Sequence, residues 1–76
     1  MFDGKILLID FYKITESDDT VFDEVKGDAD TLAGLILELK GEIPSPKEKI
    51  TCKQFCFTIE EVDDRRIKQI KVEPNK

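Results

Sequence analysis

The sequence predicts an α+β domain, with two helices packed on one face of a small antiparallel sheet. The expected order is β-α-α-β-β-β, with the first strand truncated. Three observations predict it. An apolar stripe repeats at helical spacing between Asp30 and Lys40. From Lys49 onward the spacing switches to alternation, the period of a half-buried strand. Finally, 76 residues leave room for one domain only. A chain of about 60 residues buries roughly 60% of its unfolded surface, so the core is thin.

Taken in order, Phe2-Asp3-Gly4 reads as the end of a strand running into a turn, Asp-Gly being a strong turn signal. In the segment Lys5 to Thr15, Leu7, Phe11 and Ile14 fall at i, i+4 and i+7 with Leu8 beside them. Ile6 and Ile9 would suit a strand equally well. Asp10 and Lys13 lie away from the apolar face and tip the reading towards a short helix. Glu16 to Thr20 is an acidic loop, and Val21 and Phe22 are expected to pin it to the core.

The clearest element is a helix over Asp30 to Lys40. Leu32, Leu35, Ile36 and Leu39 form one stripe at i, i+3, i+4 and i+7. Burying each such side chain contributes about 1.5–3 kcal/mol, which makes the stripe the largest block of the expected core. Asp30 is the expected N-cap, its carboxylate accepting bonds from first-turn N–H groups. Lys40 suits the C-terminal dipole, Gly41 sits at the left-handed cap, and Pro44 and Pro46 prevent continuation. Gly34 inside the helix costs about 1 kcal/mol relative to Ala, tolerable where another backbone approaches closely.

Beyond Lys49, Ile50 and Cys52 alternate with polar residues, then Phe55, Phe57 and Ile59 do the same. Val62 falls out of phase with Ile59, which predicts a bulge near Glu60-Glu61. Asp63-Asp64 is the next turn. Ile67, Ile70 and Val72 mark a last strand with one irregular step, and Glu73 to Lys76 reads as a tail. Three strands joined by short turns form a meander with one face covered by the helices.

Composition excludes several functions. The net charge is −5, and nucleic-acid binding requires clustered Lys and Arg. Residues 1–32 carry nine acids and three bases, whereas residues 33–76 carry eight acids and nine bases. The acidity therefore gathers in the first half. Ile6 to Ile9, the longest aliphatic run, is far short of the roughly 20 apolar residues of a membrane span. No basic segment followed by an apolar one suggests a signal peptide. Direct membrane insertion of this segment is not expected.

Catalytic and metal chemistry find little support. The chain has no His, so no Ser-His or Cys-His pair exists for nucleophilic attack. Two cysteines, Cys52 and Cys56, are too few for a zinc site of four N or S ligands. They read as two buried or half-buried thiols, which a tight hairpin could separate onto two strands, with a disulfide or redox role as the lesser alternative. The carboxylate pairs Asp18-Asp19, Glu60-Glu61 and Asp63-Asp64 fall in a loop, a bulge and a turn, where charges are ordinarily solvated. Asp18, Asp19 and Asp23 lack calcium-loop spacing. Gly27-Asp28-Ala29-Asp30 precedes a helix N-terminus, but its aspartates oppose a phosphate and the P-loop lysine is absent. Arg65 and Arg66 form the one compact basic pair, a pair of solvated arginines or a partner contact. No residue qualifies as catalytic or metal-ligating, cofactor-binding residues are left open, and the chain is not expected to be an enzyme.

The run Asp30-Thr31-Leu32-Ala33-Gly34-Leu35-Ile36-Leu37-Glu38-Leu39-Lys40-Gly41-Glu42-Ile43-Pro44 resembles the D-T-L-x-G-L-x-L-E-x-x-G-x-I-P signature of the CorC/HlyC transporter-associated domain. Phe57 to Ile67 resembles that family's closing F-x-V-x-x-V-D-x-R-R-I segment, and Asp3-Gly4 with Leu8 to Phe11 is similar to its opening turn and first helix. The wording is nearest to the hemolysin-like, gliding-motility-associated branch. One departure is the opening strand, almost missing here, which leaves pairing at that sheet edge open. The resemblance implies a C-terminal domain on the cytoplasmic face of the bacterial inner membrane, following a membrane domain and paired CBS domains. It implies a regulatory role in magnesium or cobalt efflux, with contacts to the CBS and membrane domains or to a second copy through a strand edge. It also implies similarity to flavin-binding folds. An FAD or adenine-nucleotide ligand is the alternative reading, one that rests on fold analogy alone.

Overall fold

The hydrophobic spacing is realised as two helices over a four-stranded antiparallel sheet. In the computed structural model, which describes residues 1–18, 20–64 and 66–74, β1 is Phe2–Asp3, α1 is Leu8–Thr15 and α2 is Leu32–Lys40. The strands β2 (Lys49–Cys52), β3 (Phe55–Asp63) and β4 (Arg66–Pro74) follow as a meander. The strand order is β1-β4-β3-β2. Short though it is, β1 pairs, with Phe2 opposite Ile70 and Asp3 opposite Gln69. The C-terminal strand is longer than the sequence suggests. Glu73 and Pro74 do not form a tail but pair with Cys56 and Phe55. Asn75 and Lys76 lie outside the described residues.

Two irregularities keep the sheet in phase. Ile59 faces Ile70 and Glu61 faces Gln69, so Glu60 is an extra residue on β3. Val62 then faces Ile67, so Lys68 is an extra residue on β4. These are the irregular steps expected between Ile59 and Val62 and between Ile67 and Ile70. They let both Ile67 and Ile70 reach the core.

The first helix corrects its expected face. Leu8, Phe11 and Tyr12 are buried, whereas Leu7 and Ile14 are exposed, Ile14 at 61%. The reason is that Leu7 is not helical. Its backbone is extended and bridges Thr31, so the buried face takes its phase from Leu8. The same bridge moves the N-cap of α2. The Leu8 N–H donates to the Asp30 carbonyl at 2.8 Å and the Leu32 N–H donates to the Ile6 carbonyl at 3.0 Å. With Asp30 held in that exchange, Thr31 is the cap, its hydroxyl oxygen accepting from the Gly34 N–H at 3.1 Å. The other end follows expectation, Gly41 adopting φ 81° and donating to the Leu37 carbonyl.

The core lies between the helices and the inner sheet face. Leu32, Leu35 and Ile36 are fully buried, and Leu39 packs at the margin. The largest side chains there are aromatic. The ring of Phe11 lies 5.2 Å from Phe2 and 5.3 Å from Phe55, edge-on to both. Phe22, fully buried although it belongs to the interhelical loop, adds contacts to Phe11, Tyr12, Phe55 and Phe57. The expected anchor is therefore in place.

Candidate interaction cleft

A cleft of about 460 Å³ opens where the β1–α1 turn, one side of α2 and the β3–β4 hairpin meet. Its position follows from one close approach. Gly4 donates its N–H to the Lys68 carbonyl at 2.9 Å and accepts at its own carbonyl from the Ala33 N–H at 3.0 Å. A Cβ on Gly4 would lie 2.1 Å from the Ile67 carbonyl oxygen. Only glycine lets the turn sit between the helix and the last strand.

Ala33, Gly34 and Leu37 give the cleft an apolar wall. Leu37 falls outside the core stripe of α2 and is 37% exposed. The charged groups around it are mixed. Asp3 is occupied locally, its Oδ1 accepting from the Lys5 N–H at 2.8 Å. Asp63 meets the Lys68 ammonium at 3.8 Å, with both side chains largely exposed, so their attraction is weak. Lys5 and Arg66 also line the cleft, and neither has an ionic partner among the described residues.

Of the positions singled out from the sequence, Asp63 and Arg66 line the cleft, and the other described ones fall elsewhere or into structural roles. Asp18 accepts from the backbone N–H and hydroxyl of Thr20, fixing the loop. Asp19 and Arg65 lie outside the described residues. Asp23 is exposed, Glu60 and Glu61 sit at the bulge, and Asp63 and Asp64 end the hairpin. Cys52 and Cys56 lie on separate strands, as expected, and their side chains point to opposite sheet faces, Cys52 facing Phe55 and Cys56 facing Thr51 in the register. Burial pushes the Cys52 thiol above its ordinary pKa. Among the described residues no three carboxylate or thiol groups gather to hold a metal ion.

The N-terminus of α2 offers little to a phosphate. Its first N–H groups are already bound, Leu32 to Ile6, Ala33 to Gly4 and Gly34 to the Thr31 hydroxyl. Among the described residues no aromatic ring lines the cleft on which an adenine or flavin ring could stack.

Comparison with known proteins decides the family. The family model for the CorC_HlyC "Transporter associated domain" matches residues 1–76. The chain belongs to the CorC_HlyC transporter-associated domain family. Its segments that resemble the family's signatures, at Asp3-Gly4, along α2 and at Asp63 to Ile67, all contribute to the cleft. Solved members share its fold. The transporter-associated domain of a CBS domain protein from Porphyromonas gingivalis is 35% identical, with a TM-score of 0.88 over 99% of this chain and 86% of that one. A conserved protein of unknown function from Haemophilus influenzae Rd KW20 is 36% identical, with a TM-score of 0.81 over 97% and 85%. A hemolysin domain from Enterococcus faecalis V583 is 26% identical, with a TM-score of 0.77 over 97% and 84%. No curated protein matches significantly.

Of the cleft residues of this CorC_HlyC domain, Arg66 was visible in the sequence as part of a basic pair. Leu37 was named only within the run that resembles the family signature, and Lys5 was not singled out. For Leu37 the available signal was phase, since it is a leucine one position beyond the buried Ile36 and off the stripe. For Lys5 no signal existed, because its neighbours in the cleft are distant in sequence. No helix is long and apolar enough to cross a membrane among the described residues.

Proposed function

We propose that this CorC_HlyC domain is a regulatory and interaction module, without catalytic activity, of a bacterial membrane ion transporter or hemolysin-like protein. In this reading it works on the cytoplasmic face of the inner membrane. It contacts CBS domains and the membrane domain of its parent chain and modulates efflux of divalent cations such as magnesium and cobalt. Family membership and the description of a relative as a CBS domain protein support that context.

The observation that carries the reading is how the molecule distributes its reactive groups. The interior is filled by aliphatic and aromatic side chains with one buried thiol, Thr58 is the buried polar side chain among the described residues, and the described carboxylates lie exposed or half-buried at the surface. General acid–base work needs a carboxyl positioned in a water-poor site. Contact with neighbouring domains needs only a stable body with a shaped surface. The reading includes no flavin or adenine nucleotide, because the α2 N–H groups are already bound and the cleft lacks a stacking ring.

The deciding experiment is magnesium and cobalt efflux from cells expressing the parent protein with and without residues 1–76. Removal is expected to change the efflux rate while the membrane level of the protein holds. Identical efflux at equal protein level would overturn the proposal. Calorimetry with FAD and ATP on the isolated chain checks the ligand side, where saturable heat would favour a ligand-binding domain.

A further inference from the structure

We infer that the cleft between the β1–α1 turn, α2 and the β3–β4 hairpin docks an acidic peptide segment with an apolar anchor, supplied by a neighbouring domain of the parent chain. The inference rests on the interaction-module reading and adds its site and the chemistry of its partner.

Its dimensions suit a few side chains. Ligand pockets typically span about 300–1,000 Å³ and combine apolar walls with a few polar groups, and this one is about 460 Å³. The apolar wall of Ala33, Gly34 and Leu37 takes the anchor. Leu37 is 37% exposed on a helix whose other leucines are turned into the core or its margin, so covering it removes apolar surface from water.

The charges favour an anion. Lys5 and Arg66 bring cationic groups to the cleft from the β1–α1 turn and from the start of β4, with no carboxylate paired to either among the described residues. In a chain of net charge −5, the cleft gathers three cationic side chains, Lys5, Arg66 and Lys68, beside an exposed leucine. The planar guanidinium of Arg66 can donate two parallel hydrogen bonds to one carboxylate. Lys68 adds a third positive group, loosely held by Asp63.

The same charges argue against a polyphosphate. Asp3 and Asp63 line the cleft with the three cations, and they would repel a ligand carrying several adjacent negative charges. A peptide spreads its charge. One carboxylate can pair with Arg66 while the peptide's amide N–H groups meet the aspartates. The missing aromatic wall also favours an aliphatic anchor over a purine.

The test is amide chemical-shift mapping of the isolated chain with three probes: the acetylated, amidated peptide Glu-Leu-Glu-Leu, its Lys-Leu-Lys-Leu counterpart, and ATP. The acidic peptide is expected to shift the amides of Lys5, Gly34, Leu37 and Ile67 saturably, and the basic one is not. Arg66→Glu, whose fold is checked by the dispersion of its spectrum, should weaken the acidic peptide at least about tenfold, the loss expected for a charge-assisted bond. Shifts elsewhere, no shifts, or an ATP response without a peptide response would each overturn the inference. In the parent protein, efflux altered by removing residues 1–76 but unaffected by Arg66→Glu with Leu37→Asp would reject the cleft and leave the module reading standing.

Discussion

The backbone of Gly4 passes so close to Ile67 that a methyl group on its Cα would sit 2.1 Å from the Ile67 carbonyl oxygen. The obstructing atom belongs to a strand paired on both sides, so it cannot swing away as a side chain would. Gly4→Ala should therefore force the turn off β4 and cost about 1–3 kcal/mol or more, as overpacking does. A chain of this length is expected to hold about 4–11 kcal/mol in total. Urea unfolding followed by circular dichroism should show a lower midpoint. A midpoint equal to that of the wild type would mean that the approach is looser in solution.

Capping gives a comparison between adjacent residues. Thr31→Ala removes the oxygen that accepts from the Gly34 N–H and should cost about 0.5–2 kcal/mol. Asp30→Ala removes an exposed side chain whose backbone makes the bond to Leu8, and should cost less. Denaturation midpoints in the reverse order would return the cap to Asp30.

Thr58 offers a substitution expected to stabilise. It lies on β3 opposite Lys49 and Lys71, is buried, and its hydroxyl has no hydrogen-bond partner among the described residues. An unsatisfied buried polar group costs about 1–3 kcal/mol. Thr58→Val keeps the branched shape suited to a strand and removes that group. Its thermal midpoint should rise, and a fall would show that the hydroxyl is satisfied in solution.

Stability should also depend on pH through the loop after α2. Glu48 pairs with Lys40 and accepts from the Ser45 N–H at 3.0 Å. The Lys40 hydrogen bond, then the Ser45 bond, hold the Glu48 carboxyl below its ordinary pKa of 4.5. Its contribution is thus present above about pH 4.5 and lost as pH falls through the depressed folded value. The Glu48 hydrogen bond and charge raise Lys40 above 10.5, so that contribution is complete below this value and lost as pH climbs through the raised one. Wild type should exceed Glu48→Gln in thermal midpoint across neutral pH, and the gap should close in acid. A gap that persisted at pH 2 would disconnect it from this ion pair.

What the sequence settled by itself is whatever depends on local spacing. The stripe of Leu32, Leu35 and Ile36, the stop at Gly41, the alternation through Phe55, Phe57 and Ile59, and the out-of-phase steps at the bulge are set by neighbours on one element. Phe22 was legible for a simpler reason, since a large ring in an acidic loop has few favourable places but the core. Tertiary contacts decided the rest. The phase of α1 and the cap of α2 depend on Leu7 bridging Thr31, residues far apart in the chain. The extension of β4 through Pro74 required Phe55 as its partner. The cleft depends on three distant segments meeting at Gly4. Periodicity records which face of an element is buried, but it carries no record of which elements will touch.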